Sequence, residues 1–269
     1  MERRTAVIIV AGGSGTRCGG PMPKQFRLLG GRPVLARTID LFASALRGAE
    51  IVVVLPAPYI DFWHDFSARF DVAAHTVVAG GEERFYSVKR GLEALRSEPE
   101  LIAVHDAVRP FATPQLIRRV ADAAAESGAA IPVVVPVDSF REVDSNRADI
   151  SEGESYVLDR SVLRIVQTPQ IFRADRLTEA YRTDYDAHFT DDATVVEAAG
   201  HRIRLVEGEA ANLKITTADD LTLAEALLTI RERIDSDERN SETHPHAAPD
   251  RADAPSAATD RTPATETAE

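Results

Sequence analysis

Short runs in which almost every residue is apolar recur along this chain, and each is separated from the next by a stretch with helical spacing. Ala6–Val10, Ile51–Leu55, Thr76–Ala79, Leu101–Val104 and Ala130–Val135 are such runs, with later candidates at Arg164–Gln167 and Arg202–Val206. A strand with one wet face alternates polar and apolar residues, whereas a strand that is apolar throughout is buried on both faces. Between the runs, Pro33–Leu46 puts Val34, Leu35, Ile39, Phe42 and Leu46 at helical spacing, and Glu82–Leu95, Pro114–Glu126 and Thr217–Ile230 are similar. Thr217 with Asp220 fits a capping box that opens the last of these helices. Strands alternating with helices in this way predict an α/β fold of three layers, a mostly parallel sheet between two sets of helices. No internal repeat is visible.

Composition narrows the class. The chain has 269 residues and a net charge of −12, which argues against a nucleic-acid binder that works by bulk electrostatics. No run of 18 apolar residues occurs, so no membrane helix is expected, and the apolar stretch Ala6–Val10 is too short for a signal-peptide core and is followed by glycines, so it reads as a first strand. The lone Cys18 can form no internal disulfide. A cytoplasmic protein is the expectation. Residues 235–269 carry three Arg against nine Asp or Glu and contain no Val, Ile, Leu, Met, Phe, Trp or Tyr. Such a segment cannot bury enough apolar surface to offset ordering entropy, so it is expected to be a disordered acidic tail on a domain of residues 1–234.

One segment interrupts the α/β rhythm. Val137–Val143 and Ser155–Leu158 flank the charged stretch Asp144–Glu154, which reads as a hairpin of residues 137–160. A lone hairpin is marginal in water, so this one is expected to pack on its own domain or on a second subunit.

In open α/β sheets, ligands bind beyond the carboxyl ends of the strands. After the first strand the chain reads Ala11-Gly12-Gly13-Ser14-Gly15-Thr16-Arg17-Cys18-Gly19-Gly20-Pro21-Met22-Pro23-Lys24. Glycines let backbone N–H groups approach a phosphate closely. A P-loop needs a Gly-Lys pair, which is absent, and a dinucleotide fingerprint starting at Gly13 would need glycine where Cys18 stands. Arg17 and Lys24 instead bring two cations to a glycine-rich loop, which suits a polyphosphate whose charge redistributes during reaction.

Ala-Gly-Gly-x-Gly-x-Arg followed by Pro-Lys resembles the signature of the nucleotidyltransferases that join a sugar phosphate to a nucleoside triphosphate. Gly80-Gly81-Glu82-Glu83-Arg84-Phe85-Tyr86-Ser87-Val88, His105-Asp106-Ala107-Val108-Arg109-Pro110, Thr168-Pro169-Gln170, Thr190-Asp191-Asp192 and Asn212-Leu213-Lys214-Ile215-Thr216 follow in order. Together they resemble the 2-C-methyl-D-erythritol 4-phosphate cytidylyltransferase family of the non-mevalonate isoprenoid pathway, over about residues 5–230. The resemblance implies a Rossmann-like nucleotidyltransferase fold with a protruding β-hairpin dimerisation arm. It implies in-line attack of the substrate phosphate on the α-phosphorus of CTP, giving 4-CDP-2-C-methyl-D-erythritol and pyrophosphate. Arg17 and Lys24 would stabilise the transition state. Ala11, Gly12, Gly13, Gly81, Glu82 and Ser87 would hold the nucleotide.

By the same resemblance, Lys214, Arg160, Asp106, Ser139, Thr168 and Thr190 would position the polyol phosphate. Arg160 and Ser139 would reach it from the arm of the other subunit of a homodimer. Mg²⁺, or another divalent cation, would be held mainly by CTP phosphate oxygens, with Asp106 a weak ligand. His105 reads as a packed histidine, because a phosphate monoester is already ionised and needs no general base. Two other readings compete, a cytidylyltransferase for another polyol phosphate such as ribitol 5-phosphate and a non-catalytic nucleotide-sensing subunit. The retention of Arg17, Lys24 and Lys214 argues against the second.

Overall fold

In the computed structural model of the chain, the described residues are 3–12, 22–143 and 155–243. The chain divides into two units, residues 1–228 and 229–269. The first unit is built on one eight-stranded sheet. β1 (Thr5–Val10) lies inside it, and a short hairpin, β2 (Leu28–Leu29) with β3 (Arg32–Pro33), leads into α1 (Val34–Ala45). β4 (Glu50–Leu55) pairs in parallel with β1, and α2 (Ile60–Ser67) precedes β5 (Thr76–Ala79), which is parallel to β4. α3 (Arg84–Glu93) then carries the chain to β6 (Leu101–Asp106), parallel to the other edge of β1. Val7 therefore faces Ile51 on one side and Ala103 on the other.

The two-faced burial expected of these strands is present. Val7, Ile9, Val53 and Leu55 point into one core with Leu35, Phe42, Trp63 and Leu116. Ala6, Ile8, Val52 and Val54 point into the other with Phe85, Val88, Phe172 and Leu177. Burying each large aliphatic side chain contributes about 1.5–3 kcal/mol, so these runs hold the sheet between its two helical layers. Gly91 lets α3 lie against the strands, because a Cβ there would come within 2.6 Å of Ile8 Cγ2.

α4 (Pro114–Ser127) begins where Thr113 Oγ1 accepts the Leu116 N–H at 3.0 Å, and it ends at Gly128, whose φ of 90° suits a left-handed cap. It leads to β7 (Ala129–Val134). The arm follows as β8 (Phe140–Val143) paired antiparallel with β9 (Ser155–Leu158), so the expected hairpin is present. β10 (Ile165–Val166) and β11 (Gln170–Arg173) both run antiparallel to β7, and β11 fills the place between β7 and β6. Val166 faces Val133 and Ile171 faces Ala130, so residues 167–170 bulge out of register. α5 (Ala174–Ala180), α6 (Asp192–Ala198) and β12 (Arg204–Glu207), parallel to β7, complete the sheet and its cover.

The sequence reading misses β2, β3, α2, α5, α6 and β11. They are single short segments without a repeating apolar period to declare them.

α7 (Ala218–Thr243) opens on the expected box, with the Asp220 N–H 3.2 Å from Thr217 Oγ1 and Asp220 Oδ2 accepting the Thr217 N–H at 2.8 Å. It runs past residue 234, which corrects the expectation that residues 235–243 belong to a disordered tail. Neither Gly nor Pro occurs between Ala218 and Pro245. Once nucleated, a helix adds residues at small cost without needing burial. The remainder of the expected tail, 244–269, lies outside the described residues. Among the described residues, no helix is long and apolar enough to cross a membrane.

Candidate active site

Three parallel strands end at one cleft of about 530 Å³. Each ladder extends one residue past its strand: the Ala11 N–H donates to Val54 O at 2.9 Å, Gly80 to Leu55 O at 2.7 Å and Ala107 to Val10 O at 3.0 Å. These bonds fix the exit directions of the three loops that line the cleft. From β1 come Ala11 and Gly12, from β5 Gly81, Glu82 and Ser87, and from β6 Asp106. Lys24 and Lys214 complete it, so eight of the expected site residues meet in one place. The expected residues Gly13 and Arg17, and the lone Cys18, lie outside the described residues.

Lys24 is placed by its neighbours. Gln25 is buried and its Nε2 donates to Ala11 O at 3.0 Å, while Phe26 stacks on Trp63 with centroids 5.8 Å apart. The single turn Lys24–Phe26 is thereby pinned to the floor of the first loop. On the β5 side, Ser87 Oγ accepts the Gly81 N–H at 3.1 Å and donates to Glu83 O at 3.2 Å. Arg90 Nη1 holds the Gly80 carbonyl from outside at 2.6 Å. A Cβ at Gly81 would lie 2.3 Å from Tyr86 Cβ, so the loop needs glycine there for space.

Asp106 is the electrostatic centre. Its Oδ2 lies 3.0 Å from Lys214 Nζ and 3.2 Å from Arg109 Nε, and its Oδ1 is 4.0 Å from Arg84 Nη2. Burial by itself would raise its pKa, but Lys214, Arg84 and Arg109 outweigh it and hold the carboxylate well below its usual range. Arg84 is itself anchored. Its Nη2 donates to Asp192 Oδ2 at 2.7 Å, and the other Asp192 oxygen accepts the Tyr181 hydroxyl at 2.7 Å. Burial opposes the guanidinium charge, yet the Asp192 carboxylate prevails and the pKa of Arg84 is raised. Asp192 sits in the first turn of α6, and the preceding Asp191 forms a capping box with Thr194.

Behind Asp106 the polar groups are closed off from water. The Asp106 N–H donates to Thr168 Oγ1 at 3.1 Å, Thr168 Oγ1 meets His105 Nδ1 at 3.0 Å, and His105 Nε2 meets Arg109 O at 3.0 Å. Burial pushes the His105 pKa down to about 4. Asn212 Nδ2 donates to Thr168 O at 2.8 Å, and Arg109 Nη1 to Asn212 O at 2.8 Å.

Four expected residues do not line the cleft of their own chain. Thr168 is buried behind Asp106 rather than open to a ligand. Thr190 is exposed just ahead of α6. Ser139 and Arg160 are exposed on the arm, where Arg160 Nη1 donates to Val137 O. Sequence reasoning also passed over Gln25, Glu83, Arg84 and Thr216, which line the cleft, and Asp192, which anchors it. All but Gln25 sit inside motifs already visible in the sequence, but their pairing across the fold was not. No group of three or more His, Cys, Asp or Glu among the described residues is arranged to hold a metal ion.

A mostly parallel sheet with glycine-lined loops and paired cations at its carboxyl edge defines a Rossmann-like α/β nucleotidyltransferase. The profile of the family described as IspD, 2-C-methyl-D-erythritol 4-phosphate cytidylyltransferase, matches residues 5–230. The chain is 43% identical over 231 residues to the 2-C-methyl-D-erythritol 4-phosphate cytidylyltransferase of Bacteroides thetaiotaomicron, covering 84% of this chain and 100% of that one. It is 44% identical over 227 residues to the enzyme of that description from Bacteroides fragilis, covering 84% and 99%. Its structure is similar to that of 2-C-methyl-D-erythritol 4-phosphate cytidylyltransferase from Thermus thermophilus, with a TM-score of 0.63, 37% identity and 84% and 98% coverage of the two chains. For the 4-diphosphocytidyl-2C-methyl-D-erythritol synthase of Anaerococcus prevotii, the TM-score is 0.70 at 27% identity, with 85% and 97% coverage. The chain belongs to the 2-C-methyl-D-erythritol 4-phosphate cytidylyltransferase family.

Proposed function

We propose that this protein transfers CMP from CTP to 2-C-methyl-D-erythritol 4-phosphate, giving 4-CDP-2-C-methyl-D-erythritol and pyrophosphate. The observation that carries the reading is the meeting of Lys24, Lys214 and Asp106 with two glycine-bearing loops in one cleft of a member of this family. An oxygen of the substrate phosphate attacks the α-phosphorus of CTP in line. The bond from that phosphorus to the oxygen bridging to the β-phosphorus breaks, and pyrophosphate leaves. The attacking group is already ionised, so the protein's part is to orient two anions and to stabilise the extra charge on the equatorial oxygens.

Lys24 and Arg17 supply that stabilising charge. Ala11, Gly12, Gly13, Gly81, Glu82 and Ser87 hold the nucleotide, largely through backbone groups, and Lys214 and Asp106 orient the polyol phosphate. Mg²⁺ fits the residues present on one observation: Asp106 Oδ2 is met by Lys214 and Arg109, while among the described residues Oδ1 has only the longer ion pair with Arg84 at 4.0 Å. A site offering so few protein oxygens suits a cation that would be held chiefly by nucleotide phosphates, with Asp106 a weak ligand. When bound, the cation offsets triphosphate charge.

We further infer a cytoplasmic homodimer joined through the 137–160 arm, with Arg160, Ser139 and Thr190 serving the neighbouring or completed polyol site. Support comes from the arm's surface. Val137 is 82% exposed, Val157 71% and Tyr156 63%, an apolar area that a lone chain leaves in water.

The test is pyrophosphate release from CTP with Mg²⁺, run in parallel with methylerythritol phosphate and ribitol 5-phosphate. Release should require methylerythritol phosphate. Equal or faster release with ribitol 5-phosphate would overturn the substrate while leaving the reaction class.

A further inference from the structure

His105 has no part in the chemistry described so far, yet it is fully buried and touches both sides of the Asp106 loop. A hydrocarbon ring would fill the same space without the cost of burying two polar nitrogens. Its neighbours are polar in a directional way. Among the described residues neither ring nitrogen meets a carboxylate, and burying an unpaired charge is costly, so the fully buried imidazole is neutral. A neutral imidazole has one N–H and one bare nitrogen, and the partners decide which is which.

Nε2 lies 3.0 Å from the Arg109 carbonyl oxygen, which can only accept, so Nε2 carries the proton. Nδ1 is then an acceptor, and the Thr168 hydroxyl 3.0 Å away must donate to it. That choice turns the lone pairs of Thr168 Oγ1 toward the Asp106 N–H, which donates at 3.1 Å. The chain of bonds has a single consistent direction. It ties together the end of β6, the turn that carries Arg109 and the bulge between β10 and β11.

We propose that His105 is a positioning residue for the transfer reaction, setting the hydroxyl of Thr168 so that it grips the Asp106 backbone and aims the carboxylate into the cleft. The proposal rests on the reading of Asp106 as a substrate-facing group. His105 itself does not line the cleft.

Two amide variants separate its nitrogens. His105→Asn puts an amide oxygen where Nδ1 stands, so the Thr168 hydroxyl keeps its acceptor while the bond to Arg109 O is lost. His105→Gln extends an amide nitrogen toward Arg109 O and loses the acceptor for Thr168. The expected result is a fall in kcat/KM for the polyol phosphate on the order of tenfold in His105→Gln and within about threefold in His105→Asn, with KM for CTP unchanged in both. Thr168→Val should lose about the same as His105→Gln, and the double variant should lose no more than either.

Equal losses in the Asn and Gln variants, or losses in Thr168→Val and His105→Gln that multiply, would overturn the assignment. Nitrogen NMR of the unmodified protein at neutral pH is the check that needs no variant. It should show a protonated Nε2 and a bare Nδ1 at His105, and the opposite tautomer would sink the proposal. Asp106→Asn assayed alongside keeps the two readings apart. Full activity there would overturn the substrate-facing role of Asp106, whereas an impaired Asp106→Asn with an unaffected His105→Gln would overturn only the role of His105.

Discussion

The cleft and the arm are built on opposite terms. Around the cleft the polar groups have partners within their own chain. Asp106 is met by Lys214 and Arg109, Arg84 by Asp192, and Ser87 by the Gly81 N–H. The arm is two four-residue strands whose apolar side chains face water, among them Val143 at 53% exposure and Val157 at 71%. Dense internal satisfaction makes a site that is organised before any ligand arrives. Open apolar surface makes an element that is completed only by something else. The difference teaches that the polar groups of the cleft are ordered by their own chain, whereas the arm, with the exposed Arg160 at its base, leaves apolar surface that the described residues do not cover.

The largest expected effect breaks the cleft itself. Lys24→Ala should lower kcat by on the order of 10³-fold while KM for CTP changes little, because its interaction strengthens as charge develops in the transition state. Steady-state kinetics with both substrates varied would check this. A normal kcat with weakened CTP binding would mean that Lys24 binds ground-state phosphate only.

The next test sets cleft against arm. Inactive Lys24→Ala and inactive Arg160→Ala chains are co-refolded so that mixed dimers form. If Arg160 acts across the interface, each mixed dimer holds one intact site, and activity should return to roughly a quarter of wild type for random pairing. No recovery, with mixed dimers demonstrated, would place Arg160 in its own chain's site.

A smaller effect is expected at the start of α7, where Asp220 holds Thr216 at the rim of the cleft. Asp220 accepts from the Thr216 hydroxyl and from the N–H groups of Thr216 and Thr217, and these bonds hold its pKa down at about 2. A carboxyl whose folded pKa is depressed stabilises the fold above its unfolded value, and that contribution is lost as the pH falls toward 2. Asp220→Ala should cost about 1 kcal/mol, a drop of a few degrees in Tm at pH 7, with the gap from wild type closing in acid. Calorimetry across pH would measure it.

The smallest effect concerns residues 235–269. Truncation after Ile234 should leave kcat unchanged and Tm within a degree or two, because the removed segment contains no large apolar side chain. A larger fall in Tm would show that it contributes to folding.

Much of this molecule could be read along the chain. Two-faced apolar runs such as Ala6–Val10 and Ile51–Leu55 can be satisfied only between two layers, so the central parallel strands, the helices that link them and the cleft at their carboxyl ends follow from local pattern. The glycine loops and Lys24 could be placed there because they directly follow strands or lie just beyond, and the Thr217–Asp220 box because it is local. What stayed hidden depends on partners distant in sequence. β11 reads as an ordinary short segment, yet it is taken between β6 and β7 and runs against both, because pairing across the sheet outweighs its weak local preference.

Burial decided the rest. Thr168 was expected to face a ligand but turns inward to Asp106 and His105, and no spacing could announce a bond between residues 62 positions apart. Arg84 and Asp192 lie 108 positions apart, and their ion pair exists only because the fold brings the first turns of α3 and α6 together. The length of α7 shows the reverse limit: backbone propensity carried the helix to Thr243 where an argument from burial had stopped it. Sequence alone determined the central apolar strands, the helices that link them and the end of the sheet where the cleft lies, because those depend on local periodicity and on the obligatory burial of apolar runs. Which charges face one another, and which hydroxyls turn inward, was decided only by tertiary packing, because desolvation and hydrogen-bond direction act on whatever groups the fold brings within about 3 Å.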